Sequence, residues 1–237
     1  YGDHRDLHKE YRRQRQMCIR DRYREGQHPN RSFASGSPAH VLTAYLLRMV
    51  QNLETNISDW TRDAITVLDN LTEGPQILVG SSLGGWIMLN VAVERPDRVA
   101  GLIGIAAAPD FTEDLIWQTL DASSQSAFKD NGQIALENPY ADDPVIYPYH
   151  LIEDGRQHLR LRSPLAITQP VCLLHGINDT EVPGQTALTL ADCLQSDDVL
   201  LHFDKAATHR FSEPAQLQSI QATLEQLITQ IQHKPSN

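Results

Sequence analysis

The segment Gly80-Ser81-Ser82-Leu83-Gly84 has the pattern G-x-S-x-G. In this pattern the serine occupies a strained strand-to-helix turn, where flanking side chains would clash and glycines are needed. Such a turn lifts the Ser82 hydroxyl above the carboxyl edge of a sheet. It also aims the Leu83 backbone N–H, at a helix N-terminus, toward a developing oxyanion. A serine nucleophile needs a base to take its proton, and the base needs an acid to hold its tautomer. Behind a turn of this kind the acid and then the histidine follow in chain order, each in a loop after a strand. Asp179 takes the second place, in Leu174-His175-Gly176-Ile177-Asn178-Asp179-Thr180-Glu181-Val182-Pro183. His209 takes the third, after the apolar run Val199–Phe203 and before a helix opened near Pro214. The expected nucleophile, acid and base are Ser82, Asp179 and His209.

Other groups compete for these roles. Glu181 and Asp204 lie near the same loops and are the alternative acids. His202 falls inside a strand and reads as a packed or surface histidine, whereas His175, beside Gly176, reads as shaping the acid loop. His150, Asp154 and His158 recur every fourth residue, a spacing that suits a metal but equally a solvated helix face. Nothing else calls for a metal, and no cofactor motif is present. The bland reading of Gly80–Gly84 is a Gly/Ser-rich turn; a strand before it and a helix after it favour the nucleophile turn.

These loops need elements to hold them. Trp60, Ala64, Val67, Leu68 and Leu71 form an apolar helical face behind a capping Ser58, and Gly74-Pro75 ends that helix. Strands are expected at Gln76–Gly80, Val99–Ala106, Pro170–Leu174 and Val199–Phe203, with helices at Leu83–Glu94, after Pro183 and after Pro214. Strands apolar on both faces, alternating with amphipathic helices, imply an α/β fold with a mostly parallel sheet covered on both sides. Between Asp110 and Leu165 the alternation stops. There Pro139, Pro144, Pro148 and Pro164 punctuate short helical pieces (Glu113–Leu120, Pro148–Arg160) that read as a small helical cap over residues 110–165.

The stretch Gly74-Pro75-Gln76-Ile77-Leu78-Val79-Gly80-Ser81-Ser82-Leu83-Gly84-Gly85-Trp86 resembles the α/β-hydrolase superfamily. It is more similar still to the group containing a mitochondrial palmitoyl-protein thioesterase that also hydrolyses acyl glucuronides, with bacterial relatives. Asp97-Arg98-Val99, Gly101-Leu102-Ile103-Gly104, Leu174-His175-Gly176 with Asp179 and Val182-Pro183, and Thr208-His209-Arg210 continue the match, over about residues 57–232. The resemblance implies an α/β-hydrolase fold and a serine hydrolase that cleaves acyl esters or thioesters through a Ser82 acyl-enzyme. Its partner would be an acylated or small-molecule substrate. Trp86, Phe111 and Trp117 are candidates to line the acyl pocket, with closure of a core as their ordinary alternative. Two other readings stay open: an esterase or lactonase for small substrates, and a hydrolase-fold binding protein without turnover.

Such hydrolases carry early strands and a glycine-containing loop that supplies a second oxyanion N–H. Residues 23–56 show neither a convincing strand nor that loop; Gly36 and the Leu42–Val50 run are poor substitutes. The second donor is therefore unidentified, and the N-terminal strands are expected to be missing or aberrant. Loss of one donor costs about 10²–10³ in turnover. Met17-Cys18-Ile19-Arg20-Asp21-Arg22 looks like the translation of a sequencing-library adapter, so residues 1–56 are expected to be a non-native or aberrant leader. Residues 57–232 would then be the hydrolase domain and 233–237 a tail.

Charge supports that division. The 237 residues carry 20 Lys/Arg and 30 Asp/Glu, a net −10. Residues 1–31 hold nine basic and five acidic residues, whereas the remainder holds eleven and twenty-five. An acidic body is a poor partner for nucleic acid or anionic membranes, and no apolar run is long enough to span a bilayer. Three cysteines (Cys18, Cys172, Cys193) with no C-x-x-C pair suggest neither a disulfide framework nor a zinc site, and a reducing cytoplasm is the default compartment. The oligomeric state is not legible.

Overall fold

The computed structural model describes residues 40–44 (backbone only), 54–138 and 142–233, all within the unit Ser37–Asn237. Five strands form one sheet in the order β1 (His40–Ala44), β2 (Gln76–Ser81), β3 (Val99–Ile105), β6 (Val171–Gly176), β7 (Val199–Asp204), every neighbouring pair parallel. Successive residues of a strand point to opposite faces, and each face finds its own cover. Leu78, Leu102, Val171 and Leu173 pack with α1 (Ile57–Leu71), α2 (Leu83–Glu94) and Leu190 of α5 (Gly184–Cys193). Ile77, Val79, Ile103, Ile105 and Leu174 pack against Leu227 and the flanking apolar residues of α6 (Pro214–His233). The strands, the helices and the two-sided covering agree with the sequence expectation.

Helix α2 is apolar all round because it is buried all round. Its one polar side chain within that core, Asn90, donates to Thr61 Oγ1 at 3.0 Å and accepts from Arg160 Nε at 2.6 Å. Arg98 closes the end of α1: its guanidinium donates to the carbonyls of Leu68, Thr72 and Gly74 at 2.9–3.0 Å, satisfying acceptors that a helix end leaves unpaired.

Three local expectations are corrected. Ser58 does not cap α1. Asn56 does, in extended backbone, its side chain accepting from Asp59 N–H at 2.9 Å, while Ser58 has other partners described below. The segment between β3 and β6 is not purely helical. It holds α3 (Ala122–Asn131) and α4 (Tyr149–Gly155), but also an antiparallel pair, β4 (Gln133–Leu136) with β5 (Val145–Pro148). Four-residue strands are too short for alternation to stand out against four prolines, although Val145, Ile146 and Tyr147 are strand-favouring types. Third, residues 23–56 do contain a strand. Residue pairing runs from His40 opposite Gln76 to Ala44 opposite Gly80, so β1 covers an edge of β2 that would otherwise present unpaired backbone groups. The rest of the expected leader, residues 1–39 and 45–53, and the tail from 234 lie outside the described residues.

Candidate active site

Ser82 stands between β2 and α2 with φ 53° and ψ −123°. A non-glycine residue reaches positive φ only when its surroundings over-determine it, and here they do. Ser82 N–H donates to the Ile105 carbonyl at 2.9 Å, while the Ser82 carbonyl accepts from Gly85 and Ala108 N–H at 2.9 and 3.0 Å. A Cβ on Gly80 would stand 2.3 Å from the Gly84 carbonyl oxygen, which is why the turn needs glycine before the serine. Leu83 opens α2, so its N–H lies outside the intrahelical ladder, at the end of a helix where an anion is favoured.

Asp179 sits in the loop after β6 and His209 in the loop after β7, and backbone bonds join the two loops. Ile177 N–H donates to the Asp204 carbonyl at 2.9 Å and Asn178 N–H to the Ala207 carbonyl at 3.1 Å. Gly176 permits this approach: a Cβ there would meet the Ala207 carbonyl oxygen at 2.3 Å. Phe211, buried and at φ 46°, turns the chain immediately after His209.

The three side chains meet. His209 Nδ1 lies 2.9 Å from Asp179 Oδ2, and His209 Nε2 lies 2.9 Å from Ser82 Oγ. A carboxylate only accepts, so the Nδ1–H donates to Asp179, leaving Nε2 to accept the serine hydroxyl. The other Asp179 oxygen, Oδ1, accepts from Glu181 and Val182 N–H, both at 2.9 Å. Burial pushes the Asp179 pKa up, but the His209 bond and the two N–H groups outweigh it and hold the carboxyl below its ordinary value. Burial likewise pushes His209 down, and the bond and charge of Asp179, with the charge of Glu181, carry it above the ordinary histidine value. The arrangement can move a proton from serine to imidazole while a fixed anion stabilises the imidazolium.

Of the alternative acids, Glu181 lies in the acid loop itself, its N–H on Asp179 Oδ1 and its charge acting on His209. Asp204 uses its carboxylate on Ala206 N–H at 2.8 Å, and His202 is exposed on β7. Of the residues considered for a pocket, Trp86 is fully buried, with its indole N–H on the His158 carbonyl at 2.9 Å. Phe111 packs edge-on against it with ring centroids 5.7 Å apart. Trp117 belongs to a separate cluster with Ile116, Phe128 and Ile152. Trp86 and Trp117 are buried in these clusters, where their large apolar surfaces are best removed from water, and Phe111 is half-buried against both.

A second Ser–His–Asp grouping lies away from Ser82. Ser58 Oγ is 2.5 Å from Asp154 Oδ1 and 2.7 Å from His158 Nε2, and Ser58 N–H donates to Asp154 Oδ2 at 2.9 Å. Here the serine, not the histidine, stands in the middle. Its single proton goes to the carboxylate, and no relay to an imidazole base results. The bonds instead tie the end of α4 to the first turn of α1. His150, third in the same series, is exposed, and among the described residues no group of three or more His, Cys, Asp or Glu could hold a metal ion.

A doubly covered parallel sheet, a serine at positive φ after a central strand, and acid and histidine loops after later strands define an α/β-hydrolase. The model of the prolyl oligopeptidase family, Peptidase_S9, matches residues 61–232, and the chain belongs to that family of the α/β-hydrolase fold. Among curated proteins it is similar to the mouse mitochondrial palmitoyl-protein thioesterase ABHD10. The two are 39% identical over 181 residues, covering 75% of this chain and 60% of the mouse protein. It is also 35% identical over 168 residues to lipase LipV of Mycobacterium tuberculosis, covering 62% of this chain and 64% of the lipase. Among solved structures, the mouse α/β-hydrolase domain-containing protein 10 superposes with TM-score 0.70 at 38% identity, over 75% of this chain and 71% of that one. A putative hydrolase of Agrobacterium vitis gives TM-score 0.72 at 34% identity, over 75% and 70%. The chain spans about three-fifths of the length of the thioesterases it matches.

Several contributors to this site were not assigned a part from sequence. Gly176, the Glu181 and Val182 amides and the Ile105–Ala108 turn all hold the reacting residues through backbone. The Leu-His-Gly segment before the acid was a signal for the first, since glycine after a strand marks a close backbone approach.

Proposed function

We propose that the protein is a serine hydrolase that cleaves acyl esters or thioesters through an acyl-enzyme on Ser82. The observation that carries this reading is the hydrogen-bond chain Asp179–His209–Ser82 with the serine at positive φ. Relatives named as thioesterase and lipase support an acyl substrate. The family's name speaks of peptidases, but a shared fold assigns the site and not the substrate.

In this mechanism His209 Nε2 takes the Ser82 proton as Oγ attacks the acyl carbonyl carbon, and the Leu83 N–H receives the oxyanion. Asp179 steadies the imidazolium. His209 then gives the proton to the departing thiolate or alkoxide. Water repeats the sequence: its proton goes to His209, its oxygen joins the acyl carbon, and Ser82 regains its hydrogen as the acid leaves. The chain as a whole divides, on this reading, into a hydrolase body over 57–232 and a cap over 110–165. β1 adds an edge strand contributed from before residue 57.

A panel of p-nitrophenyl esters and acyl thioesters of graded chain length tests the reading. We expect turnover of both classes, with kcat/KM rising toward long acyl chains. A preference for short esters alone selects the small-substrate esterase or lactonase. No turnover of any member by folded protein overturns the reading in favour of a binding protein.

Only neutral His209 can accept the serine proton. Because its pKa lies above the ordinary value, kcat/KM for an uncharged ester should rise with pH along an acid limb whose midpoint is above about 6.5. A pH–rate profile with its midpoint below that value contradicts the assignment of the base.

Among the described residues no helix is long and apolar enough to cross a membrane. The cytoplasmic expectation rests on cysteine usage, whereas the thioesterases are named mitochondrial. Fractionation of the source cells distinguishes the two compartments.

A further inference from the structure

His175 ends β6, and the mechanism above makes no use of it. It is buried together with Asp179, at 1% and 0% side-chain exposure. Its Nε2 lies 2.9 Å from the Val182 carbonyl oxygen and 3.4 Å from Asp179 Oδ2. Both neighbours only accept, so Nε2 carries a proton. Val182 is engaged through both of its backbone groups. Its carbonyl accepts from His175, and its N–H donates to Asp179 Oδ1. The loop's own amides therefore hold one carboxylate oxygen, while His175 meets the other on the oxygen that also faces His209. The imidazole itself is well placed to be rigid. Its residue pairs with Phe203 across β6 and β7, and the Phe203 ring lies 6.0 Å away.

We propose that His175 is a positioning residue for the acid: its Nε2–H, anchored on the Val182 carbonyl, holds Asp179 Oδ2 where the His209 Nδ1–H requires it. The carboxylate thus stands between two imidazoles, one that shuttles protons and one that does not. This inference rests on the serine-hydrolase reading of the site. It differs from a general role in loop stability because it acts on the Asp179–His209 bond, and that bond has its own observable.

The charges acting on His209 are those of Asp179 and Glu181. If His175 aims Asp179, its loss weakens the carboxylate's hold on His209, and burial then pulls the base down. His175→Leu should lower kcat about 10- to 100-fold, the range carried elsewhere by groups that orient a functional ligand. KM should stay within about threefold, and the acid limb of kcat/KM should move to lower pH. His175→Gln, whose amide N–H reaches the same acceptors, should restore kcat to within a few-fold and return the limb. If the leucine variant does not fold, His175→Asn replaces it, being polar but too short to reach Val182.

The proton NMR spectrum supplies a readout without turnover. The His209 Nδ1–H resonance, downfield of the amides, should be present in the wild type and His175→Gln and absent or shifted in the leucine or asparagine variant. A folded leucine or asparagine variant with wild-type kcat, acid limb and downfield resonance overturns the proposal. A limb that moves to higher pH also overturns it, because that would mean His175 only damps the Asp179 charge. If the wild type hydrolyses no member of the substrate panel, the hydrolase reading fails separately. The NMR comparison still decides whether His175 aims the acid.

Discussion

Replacing Ser82 with alanine should lower kcat by roughly 10⁶ on whichever ester the wild type cleaves fastest, with the fold intact. The size follows from what is removed. Among the described residues, Ser82 Oγ is the hydroxyl that faces an imidazole nitrogen backed by a carboxylate, 2.9 Å away and able to receive its proton. The turn itself is held by backbone bonds from Ile105, Gly85 and Ala108, none of which uses the hydroxyl. Alanine keeps the Cβ, so the turn's strain is unchanged. The lost Oγ–His209 bond changes stability by about 1 kcal/mol at most. Steady-state kinetics and a thermal melt, read together, check both halves. A folded variant that retains a tenth of wild-type kcat assigns the nucleophile elsewhere.

Asp179→Asn should cost about 10⁴ in kcat while leaving KM nearly unchanged. The reason is geometric. Glu181 and Val182 N–H both donate to Oδ1, so the asparagine carbonyl oxygen keeps that position and the amide nitrogen takes the place of Oδ2. That nitrogen is a donor, and it faces His209 Nδ1 at the 2.9 Å now spanned by a donated bond. The imidazole must turn its lone pair to Nδ1, which puts the proton on Nε2, and Nε2 then cannot accept from Ser82. Without the carboxylate, burial at His209 is opposed by the Glu181 charge alone, and the acid limb of kcat/KM falls to lower pH. The same nitrogen also approaches the protonated Nε2 of His175, so some loss of stability accompanies the loss of rate. An Asp179→Asn variant within tenfold of wild-type kcat makes Asp179 dispensable and contradicts the proposed relay.

The core of the fold was legible because its signals are one-dimensional. Ile77–Gly80, Val99–Ile105 and Val171–Leu174 are continuous apolar runs, as strands covered on both faces must be. The serine turn was legible for a related reason: glycine before a strained serine is a local requirement, since a Cβ on Gly80 would stand 2.3 Å from the Gly84 carbonyl oxygen. Chain order then selected His209, which meets Ser82, and Asp179, which meets His209. What stayed hidden depends on contacts between distant segments. Asn56 and Ser58 are both capping residues by type, but Asn56 takes the cap and Ser58 lies within the first turn, its hydroxyl on Asp154 from 96 residues away. Trp86, four residues after Ser82, looked placed for a pocket until the His158 carbonyl and Phe111 enclosed it. The edge strand β1 takes its structure from pairing with β2, not from its own five residues. His175 likewise acquires a role only when the loop folds back and brings Val182 and Asp179 to it.

The central claim is that Ser82 is an activated nucleophile, and a fluorophosphonate tests it most directly because the reagent needs attack but no particular acyl chain. Native protein should gain one adduct by intact mass, mapped by peptide fragmentation to Ser82. The adduct should be absent after heat denaturation and form far more slowly in Asp179→Asn. Folded protein left unmodified at Ser82, or labelled instead at a residue such as Ser58, would contradict the account.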